Sequence, residues 1–178
     1  MNRKGTLYFV ATPIGNLEDI SLRALKVLKE VDLIAAEDTR QTVKLLNHFE
    51  IKNRLVSYHE HNKREKGRDL VERLLEGQDI ALVSDAGTPG ISDPGEELIR
   101  LAVEMGINVT MVPGPAAVIA GVVLSGLPSG RFCFEGFLPM NKRARIERLK
   151  EIKDHTQTIV FYEAPHKLIY TLKDLREV

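Results

Sequence analysis

From Ile80 to Val83 the chain is wholly apolar, and at Ser84 it breaks into the loop SDAGTPGISDPG, which holds three glycines, two prolines and two aspartates. A short apolar strand that runs into a rigid polar turn and then a helix is how a parallel sheet builds a ligand floor at its carboxyl edge. The pattern around this loop repeats. Leu7 to Ala11 is apolar, and after Ser21, a helix-capping residue type, Leu22, Leu25, Leu28 and Val31 recur at helical spacing. Leu33 to Ala36 reads as a second strand with Val43, Leu46 and Phe49 on its helix. Arg54 to Tyr58 reads as a third, followed by Leu70, Val71, Leu74 and Leu75 up to a stop at Gly77. Leu98, Ile99, Ala102 and Met105 follow the fourth strand, and Val109 to Val112 makes the fifth. Parallel neighbours need crossover helices, so the fold class is α/β: a mostly parallel five-stranded sheet flanked by helices over residues 1–115.

A helix of small residues, Ala116 to Ser125, then runs into GLPSG, and residues 116–130 read as a connecting helix and linker. Residues 131–178 read as a second α/β domain with strands at Phe132 to Phe137 and Thr158 to Tyr162, a basic helix from Lys142 to Lys153, and a helix from His166. Two strands and two helices make a marginal core. Leu168, Leu172 and Leu175 are still in helical register at Val178, so this second domain is expected to be incomplete.

Twenty-five basic residues cancel 25 acidic ones, so a nucleic-acid surface, if present, has to be a local patch. Cys133 is the single cysteine and lies in the apolar run FCFEGF, which excludes a disulfide framework and a cysteine-based metal site. No apolar run reaches the roughly 18 residues that cross a bilayer, and Met1 to Lys4 leads into a strand rather than a secretory leader, so the expected location is cytoplasmic with no membrane partner.

The turns after the five strands, ATPIGN, EDTR, HEHN, SDAGTPGISDPG and PGPAA, belong on one edge of an open parallel sheet. Neither G-x-x-x-x-G-K-[ST] nor G-x-G-x-x-G occurs, so phosphate and dinucleotide cradles are unsupported. Turns rich in Pro and Gly present carbonyls and small surfaces, which suit adenosine edges and a cation such as a sulfonium.

TLYFVATPIGNLEDISLRAL, VDLIAAEDTR, LVSYHEHN, ALVSDAGTPGISDPG, VPGPAAVIAG and FCFEGFLP, in this order, resemble the bacterial ribosomal RNA small-subunit methyltransferase I family, within the tetrapyrrole-methylase-like class. The resemblance spans essentially the whole chain. It implies 2′-O-methylation of a cytidine ribose in the decoding region of 16S ribosomal RNA, with S-adenosylmethionine as cofactor and a homodimer as the working form. It also implies that Pro13, Gly15, Asp85, Ala86, Gly87, Thr88, Ile91, Ser92, Ala116 and Ala117 border the cofactor, with Phe137 and Tyr162 in the second domain. Gly90, Ala116 and Ala164 depart from the family pattern, which has Leu or Ile at the first and Ser at the other two.

Methyl transfer from a sulfonium to oxygen neutralises charge, so positioning and water exclusion supply most of the acceleration and one proton acceptor completes the site. Asp38, His59 and His61 are the first candidates, with Glu37 and Glu60 behind them; Asp38 also reads as a helix cap, and the HEHN residues as a solvated loop. A metal is not expected, because no third ligand accompanies the H-x-H pair. For RNA the candidates are Arg40, Asn62, Lys142, Arg143 and Arg145, within two basic stretches, one of which carries six Lys or Arg between Lys142 and Lys153. Two rival readings remain open: a non-catalytic RNA-binding or dimerisation fragment, and a small-molecule methyltransferase of the tetrapyrrole type.

Overall fold

Five short apolar strands separated by helices cannot pair as hairpins, and they form one all-parallel sheet. In the computed structural model, which describes residues 3–178, the strands are β1 (Thr6–Val10), β2 (Leu33–Ala36), β3 (Leu55–Ser57), β4 (Ile80–Val83) and β5 (Asn108–Val112), in the spatial order β3-β2-β4-β1-β5. The start of the chain, read above as free of a leader, lies partly outside the described residues.

The helices are α1 (Leu22–Glu30), α2 (Thr39–His48), α3 (Lys63–Leu75) and α4 (Glu96–Glu104). The chain passes from β1 to β2 to β3 in one direction and from β3 to β4 to β5 in the other. Right-handed crossovers therefore place α1 and α2 on one face and α3 and α4 on the opposite face. The cores follow that division: Ala24, Leu28 and Leu46 pack on Val10, Ile34 and Val83, while Leu70, Leu74 and Leu98 pack on Phe9, Leu33 and Leu82. Every residue of β2 and β4 is buried, as expected for central strands covered on both faces.

Local chemistry sets the boundaries. The Ser21 hydroxyl caps α1 by accepting from the Ala24 amide at 3.0 Å. β1 starts one residue earlier than its apolar run because the Thr6 amide donates to the Asp79 carboxylate at 2.7 Å. A short 3-10 helix, Leu17–Asp19, which apolar periodicity does not reveal, is capped by Asn16. This first unit ends at Ala116.

The second unit, Ala117–Val178, holds α5 (Ala117–Ser125), β6 (Phe132–Phe137), α6 (Lys142–Ile152), β7 (Thr158–Tyr162) and α7 (Leu168–Glu177). β6 and β7 pair in parallel, with an irregularity between Phe134 and Gly136, and α6 is their crossover. α5 packs against β7, and the Val118 amide donates to the Tyr162 hydroxyl at 3.1 Å. The α5 segment of the expected linker thus lies inside the second unit. α7 begins two residues after His166, because residues 164–167 form a turn around Pro165 closed by the Lys167 amide on the Ala164 carbonyl at 2.9 Å. Among the described residues no helix is long and apolar enough to cross a membrane.

Candidate functional site

β4 is the middle strand, so the turn that leaves it has a neighbouring turn on each side. The hydrogen bonds use that position. Thr12 and Gly87 form an isolated antiparallel bridge, with amide-to-carbonyl distances of 2.8 Å and 3.0 Å in the two directions. The Asp38 amide donates to Asp85 Oδ1 at 3.0 Å, and Thr88 Oγ1 donates to the Pro115 carbonyl at 3.2 Å. The turns after β1, β2 and β5 are therefore all tied to the turn after β4. Pro13, Asp85, Ala86, Gly87 and Thr88 are gathered by these bonds onto one rim, with Gly15 on the β1 turn, Ile91 and Ser92 further along the β4 turn, and Ala116 next to Pro115. Ser92 has φ +64°, a left-handed conformation that is uncommon outside glycine and concentrates at functional turns.

Ala117, Phe137 and Tyr162 belong to the second unit. There the Phe137 and Tyr162 rings meet edge to face with centroids 5.6 Å apart.

The structure gives Asp38 a structural task. Its carboxylate caps α2 by accepting from the Arg40 amide at 2.8 Å, and it grips the Arg40 guanidinium through Nη2 at 2.6 Å. These hydrogen bonds hold its pKa down at about 2, far too acidic for an efficient proton acceptor near neutral pH. The assignment of Asp38 as a general base is thereby corrected to a helix cap, and Arg40 is its ion-pair partner. Asn62 is also occupied: its Oδ1 accepts from the His59 amide at 2.8 Å and its Nδ2 donates to the Ser57 carbonyl at 3.2 Å, closing the β3–α3 turn. Both amide groups of Asn62 thus take part in closing this turn. His59 and His61 stack edge to face with centroids 5.9 Å apart, and His59 Nδ1 is buried without a hydrogen-bond partner.

Two carboxylates fit the proton-acceptor role better. Glu37 and Asp93 both line a cleft of about 740 Å³ bounded by the turns after β2 and β3 and by the start of α4. Burial, followed by the negative charges of Asp93 and Asp85, pushes the Glu37 carboxyl above its ordinary value. Burial also raises Asp93, with a further push from Asp85. Glu37 ranked behind Asp38 as a candidate from sequence, and Asp93 did not figure there; its only signal was the Asp-Pro-Gly turn just before the α4 helix.

The basic helix α6 is largely neutralised by its own surroundings. Arg143, 89% exposed, pairs with Glu147 at 3.2 Å, and Arg148 pairs with Glu135 at 2.7 Å and Glu151 at 2.8 Å. Lys142 lies 3.6 Å from Asp174. Arg145 is a correction: its side chain is 15% exposed and bonded to Asp174 at 2.6 Å, while its Nη1 donates to the Pro139 and Met140 carbonyls. A guanidinium held by three acceptors inside its own unit is not free to take a phosphate. No group of three His, Cys, Asp or Glu side chains among the described residues is placed to hold a metal ion.

An all-parallel sheet covered on both faces, with the exit turns of β1, β2, β4 and β5 laced into one rim, defines an α/β ligand-binding fold. The chain belongs to the tetrapyrrole (corrin/porphyrin) methylase family, whose model matches residues 6–178. It is 58% identical over 172 residues to the ribosomal RNA small subunit methyltransferase I of Halalkalibacterium halodurans, covering 97% of this chain and 60% of that protein. It is 55% identical over 174 residues to the protein of the same name from Pseudomonas aeruginosa, covering 98% and 62%. The chain thus spans about three-fifths of the length of these curated relatives. Among solved structures, cobalt precorrin-4 methyltransferase matches with a TM-score of 0.72 at 18% identity, over 97% of this chain and 74% of that one. Uroporphyrin-III C-methyl transferase from Thermus thermophilus, described as complexed with S-adenyl homocysteine, matches at 0.65 and 19% identity over 97% and 76%. At such identities these two structures speak for the fold.

Proposed function

We propose that this chain is the donor-binding and substrate-facing part of an S-adenosylmethionine-dependent methyltransferase acting on small-subunit ribosomal RNA. Its product on this reading is a 2′-O-methylated cytidine ribose in the decoding region of 16S RNA, made in the cytoplasm by a homodimer. The observation that carries the reading is the hydrogen-bonded rim, in which Gly87 bridges to Thr12, Asp85 holds the Asp38 amide and Thr88 holds Pro115. The curated relatives bearing the ribosomal RNA methyltransferase name favour RNA over a tetrapyrrole.

The rim suits such a donor. A Cβ built on Gly15 meets nothing within 4 Å, leaving open backbone. Ile14 and Ile91, 37% and 45% exposed, offer apolar surface for an adenine, and Asp85 keeps one carboxylate oxygen for a hydroxyl or ammonium beside the one that holds Asp38. The donor supplies a methyl group on a positively charged sulfur. The residues around it orient, desolvate and accept a proton.

Two measurements test the reading. Calorimetry with S-adenosylmethionine is expected to detect binding that Asp85→Ala weakens by roughly tenfold, the loss of about one charge-assisted hydrogen bond. Methylation of small-subunit RNA with labelled donor is expected to persist in Arg143→Glu with weaker RNA affinity and an unchanged donor affinity. Absence of donor binding in the unaltered chain would favour a non-catalytic RNA-binding or dimerisation fragment. Methylation of a tetrapyrrole precursor and not of RNA would favour the small-molecule enzyme.

A further inference from the structure

We propose that Glu37 accepts the proton of the attacking ribose hydroxyl, and that Asp93 is the positioning residue that tunes it from across the same cleft; this rests on the RNA 2′-O-methylation reading above. The backbone that carries Glu37 is pinned, because the next amide, that of Asp38, is bonded to Asp85. Its half-buried carboxyl opens into the cleft of about 740 Å³, ample for one nucleoside. Among the described residues, no Lys or Arg forms an ion pair with Glu37 or Asp93, in contrast to Asp38 and its partner Arg40.

The charges around Glu37 come from three directions. Asp85 and Asp93 face it from the turn after β4, and Asp38 adjoins it. Glu60, Lys63 and Arg64 line the cleft from the turn after β3 and the start of α3, and Glu96, Glu97 and Arg100 line it from α4. Lys63 is paired with Glu60 at 2.6 Å and Arg100 with Glu104 at 2.9 Å, so Arg64 is the cleft cation without an ion pair among the described residues. A net acidic cleft takes up hydroxyl and amino groups and leaves phosphates outside, which selects the ribose and the cytosine edge of a nucleotide.

In the step itself the ribose oxygen bonds to the methyl carbon as the carbon–sulfur bond breaks. The bonding pair stays on sulfur, which becomes neutral, and the hydroxyl proton passes to a Glu37 carboxylate oxygen and from there to solvent. Burial and the like charges of Asp93 and Asp85 raise Glu37 toward neutrality, where a carboxylate is a more effective base.

The test compares the unaltered chain with Glu37→Gln and Asp93→Asn on small-subunit RNA with labelled S-adenosylmethionine. Glu37→Gln is expected to lower methyl transfer by on the order of 100-fold while donor affinity by calorimetry stays within about twofold. Asp93→Asn removes a like charge, so the acidic limb of its kcat/KM profile moves to lower pH with activity kept at high pH. Carboxyl NMR titration of the chain alone reads the same shift: Glu37 titrates above the ordinary glutamate range and moves down in Asp93→Asn. Full activity in Glu37→Gln, or an unmoved limb in Asp93→Asn, overturns this inference and leaves the methyltransferase reading standing. An unaltered chain that binds the donor and leaves RNA unmodified overturns that reading and the inference with it.

Discussion

Gly87→Val is expected to abolish measurable S-adenosylmethionine binding while leaving the sheet folded. Gly87 has φ +82°, and the bridge it makes with Thr12 uses both its amide and its carbonyl. A left-handed conformation costs an ordinary residue about 1–2 kcal/mol and a β-branched one more. The added Cβ would also stand 3.3 Å from Ile14 Cγ2 and 3.7 Å from the Pro115 carbonyl oxygen, on the two turns that flank the loop. Relief requires the loop to swing away, which breaks the two bridge bonds, each worth about 1 kcal/mol. A total near 3 kcal/mol corresponds to a loss of more than 100-fold in affinity. The cores lie below the rim, with Leu82 and Val83 at 1% exposure, so a cooperative thermal transition persists at a somewhat lower temperature. Calorimetry together with a melting curve checks this, and wild-type affinity in the valine variant would detach the Thr12–Gly87 bridge from the ligand.

The sheet was legible because its information is local and repeated. β2, β4, β6 and β7 fall where their apolar runs begin and end, and Ser21 caps the helix it announces. Convergence of the turns was legible too, since parallel strands leave every exit on one edge. Partner choice among charged side chains was not. EDTR reads equally well as a base or as a cap, and only the placement of the Arg40 fork at 2.6 Å from Asp38 decides for the cap. Asp93 and Glu37 are 56 positions apart in the chain, and burial in one cleft is the main cause of their elevated affinity for protons, with the charge of Asp93 adding to it at Glu37. The ion pairing of α6 was hidden for a similar reason: Glu135 and Asp174, which pair with Arg148 and Arg145, come from β6 and α7, outside its own sequence window.

Arg145→Ala is expected to destabilise the second unit far more than any change at Arg143, which would separate a structural arginine from an exposed one. Arg145 ties three parts of that unit together: Asp174 on α7 through Nε at 2.7 Å, and the Pro139 and Met140 carbonyls in the β6–α6 turn at 3.1 Å and 3.0 Å. Truncation leaves the Asp174 carboxylate, 7% exposed, with only Lys142 at 3.6 Å. A buried charge stripped of its principal partner is among the costliest point changes in a small core. The thermal transition of this unit should fall by on the order of 10 °C near pH 7, against little change for Arg143→Glu, whose side chain is 89% exposed. The bond from Arg145 holds Asp174 below the usual carboxylate range, so the stability it confers is present above the unfolded carboxyl pKa and is lost as pH falls through the depressed folded value. The gap between the unaltered chain and Arg145→Ala therefore narrows as the solution is acidified through that range. Arg145→Lys rescues only in part, because one ammonium cannot reproduce a planar fork aimed at a carboxylate and two carbonyls. An unchanged melting temperature in Arg145→Ala would return this guanidinium to the RNA surface.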